Sequence, residues 1–200
     1  MSAPTPATPP LPPTPSQTVG PFYGYALPFT GGGEVAPAGH PDTVTVHGYV
    51  YDGSGAPVPD ALLEFWQADP DGGLAGAPGS IRRDPVTGAV IGRDGVAFTG
   101  FGRVPTDADG HYALRTLPPG GPAPYLAVCV FARGLMHHLF TRAYLVEADG
   151  GPEPADPLLA GLAPERRATL LARREPERHR SYRFDVRLQG EEETVFLDFS

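Results

Sequence analysis

The sequence predicts an all-β protein: an antiparallel β-sandwich with long loops, an N-terminal arm and one short helix. Three observations carry this reading. At least seven short segments show the apolar patterning of strands, several with the period of two of a half-buried strand. The 26 glycines and 26 prolines supply many turns between such segments. The 40% apolar and 10% aromatic content fills a core, and a single stretch has convincing helical spacing. Two hundred residues suit one all-β domain with tails.

Residues 1–15 are almost all Pro, Ala, Thr and Ser, a composition that predicts a flexible extension. Residues 16–42 begin with Ser16-Gln17-Thr18-Val19-Gly20-Pro21-Phe22-Tyr23, turn residues mixed with aromatics, and read as an irregular arm anchored on another surface. Residues 43–200 form the sandwich. The alternation of Val44, Val46, Gly48 and Val50 makes the first strand, ended by the turn Asp52-Gly53-Ser54-Gly55. Ala61 to Ala68 is the second, ended by Asp69-Pro70-Asp71-Gly72-Gly73. Residues 74–100 are Gly-rich and read as irregular, a length that points to function or an interface.

Phe101 to Pro105 returns to sheet, and the Asp-Gly step in Thr106-Asp107-Ala108-Asp109-Gly110 turns it into the strand Tyr112 to Leu117. Strands Leu126 to Phe131 and Leu139 to Val146 follow. Glu165 to Arg174 has the spacing of an amphipathic helix. Tyr182 to Leu188 and Glu193 to Phe199 read as a closing hairpin around Gly190.

Charge and cysteine usage exclude several functions. A net charge of −8 repels a phosphate backbone, so nucleic-acid binding is not expected. The single cysteine, Cys129, lies in an apolar run and allows neither a disulfide framework nor a thiolate zinc site. There is no basic leader followed by an apolar stretch, and no apolar run approaches the roughly 20 residues of a membrane helix. A cytoplasmic, membrane-free protein is expected.

The six histidines, His40, His47, His111, His137, His138 and His179, form no His-x-His or His-x-x-x-His pair and read as surface residues. No Gly-x-Ser-x-Gly elbow occurs. The acidic residues fall in turns (Asp52, Asp69, Asp71, Asp107, Asp109) or in the run Glu191-Glu192-Glu193. Arg133 and Arg142 stand out among the 15 basic residues, all of them arginine. Arg133 directly follows an apolar strand and precedes Gly134, so it can reach into a cleft or close a structural ion pair, and the sequence leaves both open.

Five motifs in order resemble the intradiol ring-cleavage dioxygenases across nearly the whole chain. They are Thr14 to Phe22, Gly48-Tyr49-Val50-Tyr51-Asp52-Gly53, Leu63-Glu64-Phe65-Trp66-Gln67-Ala68-Asp69, Thr106 to Gly110, and Arg183 to Glu191. Phe131-Ala132-Arg133-Gly134-Leu135 and the ending Glu193 to Phe199 resemble the α subunits of the hetero-oligomeric members. The resemblance implies a β-sandwich that in catalytic subunits binds Fe(III) through two tyrosines and two histidines. It also implies that O2 is inserted between the hydroxyl-bearing carbons of protocatechuate, in the β-ketoadipate route of aromatic catabolism.

Where the catalytic subunit carries its His-x-His, this chain has Tyr125 and Ala127, and the loop from Gly120 to Tyr125 is too short for the ligand tyrosine of that region. The resemblance therefore implies no metal ligand and no catalytic residue here, with Fe(III) held by a partner β subunit. The cleft would lie between the subunits, so the arm would pack on that partner. Thr18, Gly20 and Pro21 would line the substrate pocket and Arg133 would neutralise the substrate carboxylate. Phe22 stands where many relatives have a tyrosine. The rival readings are a homomeric catechol or hydroxyquinol dioxygenase and a transthyretin-like β-sandwich interaction module.

Overall fold

Strand β1 (Val44–Tyr51) is organised by Val44, Val46 and Val50, all buried, and pairs along its length with the antiparallel β6 (His111–Thr116). The computed structural model describes residues 14–74, 81–149 and 155–199. The turn into β6 is set by Asp107, whose Oδ1 accepts from the Asp109 and His111 amides, both at 2.9 Å, while Gly110 takes φ +76°. The predicted flexible extension lies almost wholly outside the described residues.

One curled sheet makes both layers. Its order is β11 (Val186–Arg187), β1, β10 (Ser181–Arg183), β9 (Leu171–Glu175), β8 (Leu139–Val146), β7 (Leu126–Phe131), β2 (Leu62–Gln67), β5 (Phe101–Pro105), with β6 also on β1. The core lies between the layers: Val46, Val50, Tyr112 and Leu114 from one side meet Leu63, Phe65, Leu126, Val128 and Val130 from the other. The Tyr112 hydroxyl donates to the Phe184 carbonyl at 2.6 Å inside this core. Gln67 is also buried and saturated, donating to the Leu117 carbonyl at 2.8 Å and accepting from Thr116 Oγ1 at 2.6 Å.

The all-β sandwich is as expected, but its pairing is mixed: β1 runs parallel to β10 and β11, and β8 parallel to β9. Four further expectations are corrected. Residues 74–100 contain a hairpin, β3 (Ile81–Arg83) with β4 (Val90–Arg93), whose turn is nucleated by Asp84 accepting from the Val86 and Thr87 amides. The helix expected over Glu165 to Arg174 stops early: α3 spans Pro164–Ala168, and Leu171–Glu175 is strand β9. Leu170, Leu171 and Ala172 are buried, so tertiary burial overrides the helical spacing of the apolar and charged residues. A short helix α2 (Pro157–Gly161) was not anticipated; Asp156 caps it through the Leu158 amide at 2.8 Å.

The C-terminal hairpin is the fourth correction. β10 and β11 are separated by Phe184, which enters the core, and by Asp185, whose Oδ1 accepts from the Tyr49 amide at 3.0 Å. Gly48 permits this close approach, because a Cβ there would overlap the Phe184 carbonyl. The chain does turn back after Gly190, but Leu197 bridges to Phe140 of β8 instead of pairing as a strand partner of β10. No helix among the described residues is long and apolar enough to cross a membrane.

Candidate functional site

The arm and the segment after β7 meet at one edge of the sandwich. Ser16 Oγ lies 3.0 Å from His137 Nε2, and Ser16, Gln17 and Val19 face Ala132, Leu135 and Met136 across a cavity of about 290 Å3. Gly20 has φ +81°, a left-handed turn that leads through Pro21 into α1 (Tyr23–Ala26). Thr18 and Pro21 are exposed and Gly20 is half-buried. Phe22 and Tyr25 present exposed rings, 74% and 88% accessible.

Arg133 stands beside this arm. Its Nε sits 2.8 Å from Asp60 Oδ2, and its side chain remains 74% exposed. The buried Tyr23 hydroxyl donates to the Asp60 carbonyl, so one residue of the strand-to-strand loop holds both the arm and the arginine. Burial pushes the Tyr23 phenol up, Asp60 adds to this, and the neighbouring Arg133 opposes it. Gly134 at φ +87° lets the chain turn away immediately after Arg133. The predicted residues Thr18, Gly20, Pro21 and Arg133 are thus on two adjoining segments. The ion pair that the sequence left open is formed, with Asp60 as the partner.

Tyr125 and Ala127 border the outer face of β2, β7 and β8; Tyr125 also packs against a second buried cluster that includes Tyr144 and Leu159. The guanidinium of Arg142 lies 4.1 Å from the centre of the Tyr125 ring, and Arg142 Nη1 is 3.1 Å from Asp156 Oδ2. The same Nη1 reaches the Tyr144 hydroxyl at 3.3 Å, and burial, the largest cause, pushes the Tyr144 phenol up to about 12. Ala127 has no side-chain donor atom, and His138, which borders the same face, packs edge-on against Phe140 with ring centres 4.6 Å apart. Among the described residues no group of three or more His, Cys, Asp or Glu is arranged to hold a metal. The donor set at these positions does not fit an iron centre.

Two readings of single residues change. His47 is buried, contrary to the expected surface position: its Nε2 lies 2.7 Å from Glu175 Oε2 and its Nδ1 3.2 Å from His111 Nε2. Ser181 Oγ donates to the same Glu175 oxygen at 2.9 Å. The hydrogen bond from His47, the largest cause, pulls the Glu175 carboxyl down. The cluster ties β1, β6, β9 and β10 together. The sequence offered a weak signal for it, a histidine between buried strand positions. Cys129, expected in the core, is half-buried on the outer face, where burial first and Glu64 second raise its thiol to about 12.

The curled sandwich is the fold of the intradiol dioxygenases. An intradiol ring-cleavage dioxygenase from Tetranychus urticae shares it at 15% identity, TM-score 0.53, covering 76% of this chain and 82% of that one. The dioxygenase domain of a dioxygenase carbohydrate-binding protein fusion from Streptomyces sp. SirexAA-E aligns at 27% identity and TM-score 0.52, covering 90% of this chain and 99% of that one. Residues 20–128 match the family model described as Dioxygenase. The protocatechuate 3,4-dioxygenase alpha chain of Burkholderia cepacia is 40% identical, over 92% of this chain and 96% of the relative. The alpha chain of the same name from Pseudomonas putida is 35% identical, over 94% and 98%. The chain belongs to the intradiol dioxygenase family, on the branch of the protocatechuate 3,4-dioxygenase alpha chains.

Proposed function

We propose that this chain is the α subunit of a cytoplasmic, hetero-oligomeric protocatechuate 3,4-dioxygenase, inactive alone, which supports intradiol cleavage of protocatechuate by O2 to 3-carboxy-cis,cis-muconate. The iron, held by a catalytic β subunit, supplies the redox chemistry. This chain supplies a wall of the cleft. The observation that carries the reading is the pair of surfaces on β7: its start lacks a fitting donor set, while its end leads into an exposed arginine beside the arm.

On this reading Arg133 meets the substrate carboxylate. A guanidinium holds a carboxylate with two parallel hydrogen bonds, and Asp60 engages Nε, leaving the outer nitrogens of the fork for the substrate. Thr18, Gly20 and Pro21 shape the pocket beside the ring and exclude water, and the exposed Phe22 and Tyr25 rings pack on the partner. Arg133 positions and neutralises; no proton transfer is assigned to this chain.

Coexpression with a β-type chain tests the reading. A stable complex that cleaves protocatechuate supports it. A monomeric chain that ignores the β-type chain overturns it in favour of a self-contained interaction module.

A further inference from the structure

His47, His111 and Glu175 form a titratable cluster that the proposed function does not use. Val46 and Val50 of β1 point into the core, so His47 projects from the opposite face of the sheet, where β6, β10 and β9 flank it. The hydrogens of this cluster are fixed by what each atom faces. Glu175 Oε2 lies 2.7 Å from His47 Nε2, 2.9 Å from Ser181 Oγ and 3.7 Å from Arg178 Nε. The His47 hydrogen bond, the largest cause, pulls the Glu175 carboxyl down, which keeps it an ionised acceptor at neutral pH. His47 therefore carries its hydrogen on Nε2, and its Nδ1 is a bare acceptor. His111 Nε2, 3.2 Å from that Nδ1, is then the donor of the pair. This leaves His111 Nδ1 bare, on the more accessible ring, with Asp107 Oδ2 3.9 Å away.

A proton taken up by the pair has one place to go, His111 Nδ1. The hydrogen shared between the rings can then move from His111 Nε2 to His47 Nδ1, which carries the positive charge from the Asp107 side to the Glu175 side without breaking a bond between residues. A second proton has no such place. It would set two N–H groups head to head across 3.2 Å and break the link between β1 and β6. The other charged groups facing the pair are Asp109 beside Asp107, and Arg183 on β10, whose Nη2 Asp185 holds at 2.9 Å. Tyr49 of β1 packs edge-on against His111 with ring centres 5.0 Å apart. We infer that His47 and His111 form a one-proton relay: uptake at His111 Nδ1 passes its charge to the Glu175 side of the seam, and the pair holds no second proton while the strands stay clasped. Mild acid thus charges the clasp without opening it. The inference concerns this chain alone and does not rest on Arg133, the arm or an iron-bearing partner.

Histidine ring nitrogens report each hydrogen separately by NMR. The full-length chain, isotopically labelled on its histidine nitrogens, is followed from about pH 8 to 5, a range around the ordinary histidine pKa of about 6.5. At the start both rings should carry their hydrogen on Nε2. At the end His111 Nδ1 should have gained a hydrogen, and the charges on the two rings should sum to one imidazolium, read against the exposed His179 of the same sample. Loss of signals in His111→Gln assigns the pair. If that variant does not fold, the coupling across the shared hydrogen between His111 Nε2 and His47 Nδ1 assigns it in the native chain. Two full charges on the pair in the folded chain, neutral rings throughout, or a His111 Nδ1 still bare after uptake would each overturn the proposal.

Discussion

Asp60 holds Arg133 by an ion pair of 2.8 Å and the Tyr23 hydroxyl by its backbone carbonyl, so the arginine and the arm are positioned by one residue. Arg133 is largely exposed, and exposed pairs contribute about 0–1 kcal/mol, so its removal should barely alter stability. The functional effect is different in kind. In the assembled enzyme Arg133→Ala should raise KM for protocatechuate roughly tenfold or more, as loss of about 1.5–3 kcal/mol from a charged hydrogen bond requires. KM for catechol, which has no carboxylate, should change little. Steady-state kinetics with both substrates checks this, and equal effects would remove Arg133 from substrate recognition.

Asp60→Asn tests positioning separately from charge. It keeps the carbonyl that holds Tyr23 and weakens only the ion pair. KM for protocatechuate should rise less than in Arg133→Ala, with the catechol value unchanged.

The core makes a sharper prediction at the Phe184 carbonyl. Tyr112→Phe removes its buried hydroxyl donor and should cost about 1–3 kcal/mol, read by denaturant unfolding. Gly48→Ala drives a methyl into the same carbonyl and should be at least as destabilising, since the strand pairing there cannot move independently.

Acid should loosen the clasp between β1 and β9. The Glu175 carboxyl is pulled down by the His47 hydrogen bond, so its contribution is fully present above the ordinary glutamate pKa of about 4.3 and fades as pH falls through the lower folded value. Glu175→Gln should therefore lower Tm at neutral pH, and the gap from the native protein should narrow as pH is lowered from about 5 to 3. A gap independent of pH would show that the carboxylate's charge is not what stabilises the clasp.

Much of the sandwich was legible because its signals are local. Val44, Val46 and Val50 give the period of a strand, and Asp107 to Gly110 gives the turn that pairs it. Distant partners decided what was not. Leu170 to Ala172 read as helix because apolar and charged residues alternate at helical spacing from Glu165 to Arg174, yet burial beside β8 makes the segment a strand. His47 read as surface because Glu175 lies 128 residues away and its carboxylate is what makes the burial tolerable. For the candidate site, the arm and Arg133 were visible as motifs, while Asp60, their common partner, has no local signature.

Iron content tests the central claim most directly. The full-length chain, expressed in iron-replete medium and purified alone, is assayed for bound iron, for visible tyrosinate-to-iron absorption and for protocatechuate cleavage, and compared with the same chain coexpressed with a β-type partner. The account predicts no stoichiometric iron, no colour and no activity alone, with all three in the complex. One iron bound per chain in the chain alone would contradict it.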